Sequence, residues 1–219
     1  DQPRSRGLGD VYKRQTNYYV DLGWTGKAEV SAASAHYYTV TPVGADVFEC
    51  TVRFEGSPSA DIIPAFKTVA TDSEMKWAAF WQSGGAIDFA GSTDPRAKEL
   101  ERRVVLSQYL TRIQCAGNNP PQETGLTYNS WYGKPHMEMH WWHAVHFAMW
   151  GRTELMEKSL GWYEKAAPIA RGIAARQGFE GVRWQKMTDN AGSEVPSSVG
   201  AFLIWQQPHF IYLAEQIYR

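Results

Sequence analysis

The chain has 219 residues, 43% of them hydrophobic and 14% aromatic, with a formal net charge of −1. This is enough apolar material for a substantial core in one or two domains. The near-neutral balance, with no run of Lys and Arg to form a basic groove, excludes the electrostatic footprint of a nucleic-acid binder. The uncharged stretch from His140 to Gly151 is too short to span a bilayer and carries His143 and His146. A soluble protein with neither nucleic-acid nor membrane partners is therefore expected.

Residues 1–15, which contain Arg-Ser-Arg-Gly-Leu-Gly-Asp-Val-Tyr-Lys-Arg-Gln, show no apolar periodicity and no start methionine. They resemble a translated sequencing-adapter stretch of the kind that opens reading frames assembled from environmental, bacterial DNA, and they are set aside from fold reasoning. On that reading the natural N-terminus, with any secretion signal, is missing, which leaves periplasmic, extracellular and cytoplasmic locations all open.

From residue 16 to 71 the pattern is that of strands. Asn17–Trp24, His36–Thr41, Asp46–Phe54 and Ala65–Thr71 are rich in Val, Thr, Tyr and Phe, and Gly23, Gly26, Pro42, Gly44, Gly56, Pro58 and Pro64 punctuate them. Such short spacing predicts antiparallel hairpins, the tail of a β-sandwich. Cys50 falls here and Cys115 at a helix end; they are read as two buried thiols or as one disulfide.

The period then changes. Asp72 or Ser73 is the expected N-cap of a helix through Trp77, Phe80 and Trp81 that stops at Gly84-Gly85. Asp94-Pro95 opens the clearest helix, with Leu100, Val104, Leu106, Leu110 and Ile113 on its apolar side and Gly117 at its close. A loop from Asn118 to Gly133 precedes an aromatic helix expected over Lys134–Trp150. Thr153 caps another helix, with breaks expected near Gly161 or Pro168 and a stop at Gly178. A second loop, Phe179–Gly200, leads to a final helix over Phe202–Arg219 that stops without a cap, so the chain reads as a fragment cut at both ends. Helices joined by alternating short and long loops predict a bundle or an α/α toroid, and long loops are where function concentrates.

Residues 129–150 are the most informative. They hold one carboxylate, Glu138, with four of the six histidines and four of the ten tryptophans. A buried carboxylate among indoles and imidazoles needs a polar partner. A sugar is one, because its hydroxyls satisfy carboxylate and imidazole while its C–H faces stack on tryptophan. The bland alternative pairs Glu138 with Lys134. His136, His140 and His143 at i, i+4 and i+7 also invite a zinc reading. Against it, the His-Glu-x-x-His offset is absent, no further ligand is at hand, and three ligands on one helix do not converge on one ion. The remaining options are core histidines bonded to backbone and contacts to sugar hydroxyls. The second loop repeats the aromatic-plus-polar pattern, with Arg183, Trp184 and Lys186 followed by Glu194, and Trp205-Gln206-Gln207-Pro208-His209 does so again.

Gly125-Leu-Thr-Tyr-Asn-Ser-Trp-Tyr-Gly-Lys-Pro-His-Met-Glu138 resembles a stretch of maltose- and kojibiose-phosphorylase-like glycoside hydrolases, Gly-Leu-Thr-Gly-Glu-Gly-Tyr-x-Gly-His-x-Phe-Trp-Asp-Thr-Glu. Gly178-Phe-Glu-Gly-Val-Arg-Trp184 resembles their Gly-Tyr-x-Gly-Ala-x-Tyr-Pro-Trp, and Gly192-Ser-Glu194 their Gly-x-Glu. The resemblance implies a six-hairpin glycosidase: an (α/α)6 barrel, here residues 72–219, behind an N-terminal β-sandwich, here residues 16–71. It implies an inverting glycoside hydrolase or phosphorylase acting on oligosaccharides or glycoconjugates, with water or inorganic phosphate as second substrate and without a metal or organic cofactor.

Glu138 matches the family's sugar-binding Asp, with Met137 where the family has Trp and His136 where it has Phe, the mark of a divergent branch. Trp184 and Glu194 match pocket positions. The implied substrate-binding set is Trp131, Lys134, His136, Glu138, Trp141, Arg183, Trp184, Lys186, Glu194, Gln206, Gln207 and His209, with Glu138, Trp131, Trp184 and Glu194 meeting in one cavity. The family's general acid lies in a loop with no counterpart before Arg219, so the chain by itself is expected to be inactive. A non-catalytic sugar-binding or scaffold α/α toroid is the alternative. Terpenoid cyclases also use aromatic toroids, but they need an Asp-x-Asp-Asp motif that this sequence lacks.

Overall fold

The computed structural model describes residues 18–44, 46–126, 128, 130–197, 199–200 and 202–219. The adapter-like stretch 1–15, and Asn17 of the first expected strand, lie outside the described residues, as do Thr127 and Asn129 of the glycosidase-like motif. The chain is a mixed α+β protein that divides into two compact units, 1–82 and 83–219. The division falls after the first helix.

The first unit contains β1 (Tyr19–Trp24), β2 (Lys27–Ser34), β3 (Tyr37–Val43), β4 (Cys50–Glu55) and α1 (Phe66–Gln82). The strands form two antiparallel pairs, β1 with β4 and β2 with β3. In the first pair Asp21 stands opposite Arg53, and the Arg53 guanidinium donates to its carboxylate at 2.8 Å. Gly23 is small because Ile63 lies over it; a Cβ there would come 3.1 Å from the isoleucine Cγ2. β2, Lys-Ala-Glu-Val-Ser-Ala-Ala-Ser, is not among the expected strands: its composition is poor in β-formers, and its pairing with the Tyr- and Val-rich β3 decides its state.

The expected strand Ala65–Thr71 is a correction, since those residues open α1. Phe66, Val69, Ala70, Ser73, Trp77, Phe80 and Trp81 recur at helical spacing, and this period overrides the local β-preference of Val and Thr. Asp72 and Ser73 are accordingly helix interior and not a cap. Trp77, Phe80 and Trp81 pack on one another along α1, with Phe80 and Trp81 edge-to-face at 4.9 Å.

The second unit contains α2 (Ala97–Cys115), a single 3-10 turn (Trp131–Gly133), α3 (His140–Met149), α4 (Thr153–Arg176) and α5 (His209–Tyr218). The cap expected at Asp94 is a correction: regular helix begins at Ala97 with Arg96 at the N-cap and no side-chain cap bond, while in the turn before it the Asp94 carboxylate takes the Arg96 amide at 2.8 Å and the Asp94 carbonyl the Ala97 amide at 3.0 Å. α3 starts six residues later than expected. Pro135 and the backbone bonding of residues 136–138 to other loops hold Lys134–Met139 out of a helix. α4 continues through Gly161 and Pro168, where Pro168 is solvent-facing and forfeits one backbone bond. The final helix begins at His209, because Pro208 stands at its N-cap and residues 205–208 are held in a turn.

The core of this unit lies among α3, α4 and α5, where Met137, Met156, Trp162, Tyr163, Ala174 and Leu213 are buried. Tyr163 takes Trp184 edge-on at 4.8 Å and Phe210 at 5.1 Å. Both cysteines are free thiols, and burial pushes Cys115 up to about 11. No described helix is long and apolar enough to cross a membrane.

One buried cation ties this core to α2. Arg152 donates to the Gln108 amide oxygen at 2.9 Å and to the Gly85 carbonyl at 3.1 Å. Gly84 and Gly85 let the chain pass against the end of α3, where a Cβ on Gly84 would fall 2.1 Å from the Trp150 carbonyl oxygen. Replacing Arg152 with Leu leaves the buried Gln108 amide oxygen without this donor and removes the partly buried bond to Gly85, a cost of about 1–3 kcal/mol. Thermal unfolding of Arg152→Leu should therefore show a clearly lowered Tm, and an unchanged Tm would mean that this contact does not anchor α2.

Candidate functional site

The cluster that brings sequence-predicted residues together is built from two chain crossings. Residues Trp131, Tyr132 and Gly133 all adopt left-handed backbone, with φ of 48°, 61° and 65°. The turn is closed by Gly133 N donating to Ser130 O at 3.0 Å. The chain then runs extended. His136 N donates to Pro121 O at 2.9 Å, Met137 N to Lys186 O at 2.8 Å, and Thr188 N to Pro135 O at 3.1 Å. His136 and Met187 form an antiparallel bridge. Period-two alternation turns Met137 into the core and sets His136 and Glu138 on the same side.

Four candidates meet there. The Lys186 ammonium lies 4.5 Å above the Trp131 ring. The same ammonium is 3.5 Å from Glu138 Oε2, which is 3.9 Å from His136 Nε2. The Trp131 and His136 rings are 6.4 Å apart. Lys186 and His136 are buried, whereas the Glu138 side chain is 22% exposed and Trp131 39%. An indole, a cation and a carboxylate thus share one partly open spot. Glu138 takes its charge partner from Lys186 and not from Lys134, which follows the turn half-buried.

His136 is the unusual member. It is 1% exposed, and neither ring nitrogen has a hydrogen-bond partner. Burial pushes its pKa down to about 4; the Glu123 carboxylate opposes this shift and the Lys186 charge adds to it. Glu123 escaped the sequence reading. It stands in the loop before the aromatic turn, where its Oε2 accepts the Ser130 hydroxyl at 2.8 Å. The only signal available was its place seven residues before Ser130 in a functional-looking loop.

The three histidines proposed as a helical face go separate ways, because His136 precedes the helix. His143 Nε2 donates to the Glu123 carbonyl at 2.8 Å. His140 lies between α3 and α4 with Nε2 2.9 Å from Ser159 Oγ and Nδ1 2.9 Å from the Tyr163 hydroxyl. Ser159 gives its one proton to the Met156 carbonyl, so His140 Nε2 carries the hydrogen and Nδ1 accepts from Tyr163. Burial pushes His140 down to about 3 and the Tyr163 phenol well up. Among the described residues no group of three or more His, Cys, Asp and Glu is placed to hold a metal ion.

The remaining candidates serve the framework. Trp184 is buried against Trp162 and Tyr163, its amide donates to Gln207 Oε1 at 2.9 Å, and its carbonyl accepts from both Gln206 and Gln207. His209 Nδ1 donates to the Met137 carbonyl at 3.1 Å. Trp141 packs between Trp142 and Tyr212. The Arg183 guanidinium sits 5.2 Å over the Phe179 ring. Glu194 forms an exposed pair with Arg176 at 2.7 Å. Of the four residues expected to meet in one cavity, Trp131 and Glu138 are brought together; Trp184 lies in the core and Glu194 at the surface. A separate hollow of about 610 Å³ opens at the start of α2 beside Phe89 and Leu100, where its arginines Arg96 and Arg103 are already paired with Asp94 and Glu99.

Comparison with protein-family models, with curated proteins and with solved structures returned no match.

The buried imidazoles give stability a pH dependence. His140 and His136 titrate in the fold at about 3 and about 4, below their ordinary 6.5. The unfolded chain therefore takes up protons first as pH falls. Stability is full above about pH 6.5 and is lost progressively toward pH 3–4, with each unit of difference corresponding to about 1.4 kcal/mol for a fully buried ring. Urea midpoints should hold steady between about pH 7 and 8 and fall continuously below about pH 6.5. A flat profile down to about pH 4.5 would show that these rings are not buried in neutral form.

Proposed function

We propose that this chain serves a carbohydrate-active enzyme of the six-hairpin glycosidase type, an inverting glycoside hydrolase or phosphorylase. Its helices would belong to an (α/α)6 barrel and its strands to a β-sandwich. The observation that carries the reading is the Trp131–Lys186–Glu138 arrangement, with an ammonium 4.5 Å over an indole and 3.5 Å from a carboxylate at a partly open surface. The indole face offers a platform for the C–H face of a pyranose, while carboxylate and ammonium provide acceptors and donors for its ring hydroxyls. The unpartnered nitrogens of His136 behind them add two further polar positions.

In this reading Glu138 holds the sugar and is not the proton donor. An inverting reaction needs one carboxylic acid to protonate the leaving oxygen, whereas Glu138 faces a cation, the setting of an acceptor that orients hydroxyls. The pairing of both motif carboxylates, Glu138 with Lys186 and Glu194 with Arg176, favours a second reading, a sugar-binding protein without turnover. On either reading these 219 residues alone release no sugar from maltose or kojibiose, with or without phosphate; release by a longer chain that carries a further carboxylic acid would favour the enzyme, and its absence there the sugar-binding protein.

Titration calorimetry with the same α-linked disaccharides tests the site itself. Trp131→Ala and Glu138→Gln should each weaken binding by about tenfold or more and leave the melting temperature near that of the parent, because both side chains are partly exposed. Trp184→Ala should instead cost about 3–5 kcal/mol of stability. If neither disaccharide binds the parent chain, or if Trp131→Ala binds as well as the parent, the sugar-site reading is wrong.

A further inference from the structure

We propose that residues 131–134 form a strained lid over His136 and the Lys186 ammonium, anchored at both ends and able to swing out as one piece. The inference goes beyond the sugar-site reading and holds whatever guest the cluster takes. Trp131, Tyr132 and Gly133 are left-handed in succession, at φ of 48°, 61° and 65°. The first two carry a Cβ, which in that region crowds the following carbonyl oxygen, so they sit in backbone that they would leave if released. The segment lies between fixed points. On one side Ser130 is tied to the preceding loop, its amide donating to Gln122 Oε1 at 3.2 Å and its hydroxyl to Glu123 Oε2 at 2.8 Å. On the other side the Pro135 carbonyl accepts the Thr188 amide at 3.1 Å. Between these anchors the described backbone bonds stay within the turn, Gly133 N to Ser130 O at 3.0 Å and Lys134 N to Trp131 O at 3.4 Å.

The lid carries the Trp131 ring, whose centre lies 4.5 Å from the Lys186 ammonium and 6.4 Å from the centre of His136. Tyr132 is 80% exposed, so its side chain does little to hold the turn shut. A cation–π contact and two turn bonds thus act against the crowding of two left-handed residues. Elements held so weakly are the ones that open far short of global unfolding. Beneath the lid lies a group that gains by the opening. His136 is 1% exposed, with neither ring nitrogen bonded, and burial keeps it neutral. With Trp131 swung out, those nitrogens meet water or a guest and their desolvation is relieved. His140, four residues on, is as deeply buried but bonded on both nitrogens, to Tyr163 and Ser159 between α3 and α4. Motion of the lid leaves His140 covered.

Diethyl pyrocarbonate, which acylates a neutral imidazole nitrogen, reads the motion at pH about 7, with peptide mass spectrometry separating His136 from His140. In the parent chain His136 should react about tenfold or more faster than His140, which is uncovered only by global unfolding. Tyr132→Gly removes the left-handed penalty at an exposed position and should slow His136 by about threefold or more. Tyr132→Val, β-branched at the same position, adds to the penalty and should speed it by about the same factor. The His140 rate in each variant corrects for any change in global stability. A His136 as protected as His140 overturns the lid, as do two variants that shift the ratio in the same direction or leave it unchanged. If Tyr132→Val fails to fold, the parent ratio and Tyr132→Gly decide between them. No saccharide enters the measurement, so failure of the sugar-site reading leaves this result standing, and failure of the lid leaves that reading to its own test.

Discussion

The short antiparallel crossing of residues 135–138 with 186–188 is the constraint that the site depends on. It consists of main-chain bonds, Met137 N to Lys186 O and Thr188 N to Pro135 O, with His136 N bonded outward to Pro121. Backbone bonds of this kind do not depend on which side chains are present, so they fix where the loops meet before any site residue contributes. The second loop is itself braced on α4. Gly192, at φ 95°, packs so closely that a Cβ would lie 2.7 Å from that of Ala166, and Trp162 Nε1 donates to the Asn190 carbonyl at 2.8 Å. Asp189 folds the tip by accepting the amides of Ala191 and Ser193. Lys186 is therefore carried to Glu138 on a loop braced against α4, which fixes the geometry of the pair.

The polar groups near this crossing follow two different rules. His140 is closed: Tyr163 donates to one nitrogen, Ser159 accepts from the other, and a helix carbonyl takes the serine proton. A fully satisfied buried network of this kind rigidifies the α3–α4 contact. His136, four residues earlier, is as deeply buried and has neither nitrogen bonded. Folds leave few buried polar atoms unsatisfied, and each one asks for a reason. The two histidines of one segment thus differ in bonding although they are equally buried.

Much of the helical layout was legible from the sequence, because caps and stops act locally. Asp94-Pro95 marked the turn just ahead of α2, where the Asp94 side chain bonds the Arg96 amide without needing tertiary context. The α4 helix and its close before Gly178 followed from period and glycine. What escaped the sequence was decided by partners far along the chain. The helix expected from Lys134 gives way to an extended run because residues 121 and 186–188 compete for its backbone, and that competition also removes the helical i, i+4, i+7 spacing of His136 with His140 and His143. β2 was invisible because its state is conferred by β3. Within the site, Glu138, His136, Trp131 and Lys186 were legible as residue types near one another or in matching loops. Glu123 was not, since nothing in a loop sequence says that its carboxylate accepts from Ser130 and its carbonyl from His143.

The tryptophans show how far composition alone misplaces individual rings. An indole-lined hollow was inferred from their density, yet Trp162 and Trp184 fill the core, Trp150 lies against Gly85, and Trp141 and Trp142 pack on each other. Trp131 is different. It opens a turn in which it and Tyr132 occupy left-handed backbone, a conformation that non-glycine residues adopt at a cost of about 1–3 kcal/mol each. A ring needed only for packing could be supplied from relaxed backbone, as the others are. The strain instead holds this indole partly exposed beneath a buried ammonium and beside a carboxylate. The cost is intelligible if the face of that ring is used by something the chain itself does not provide.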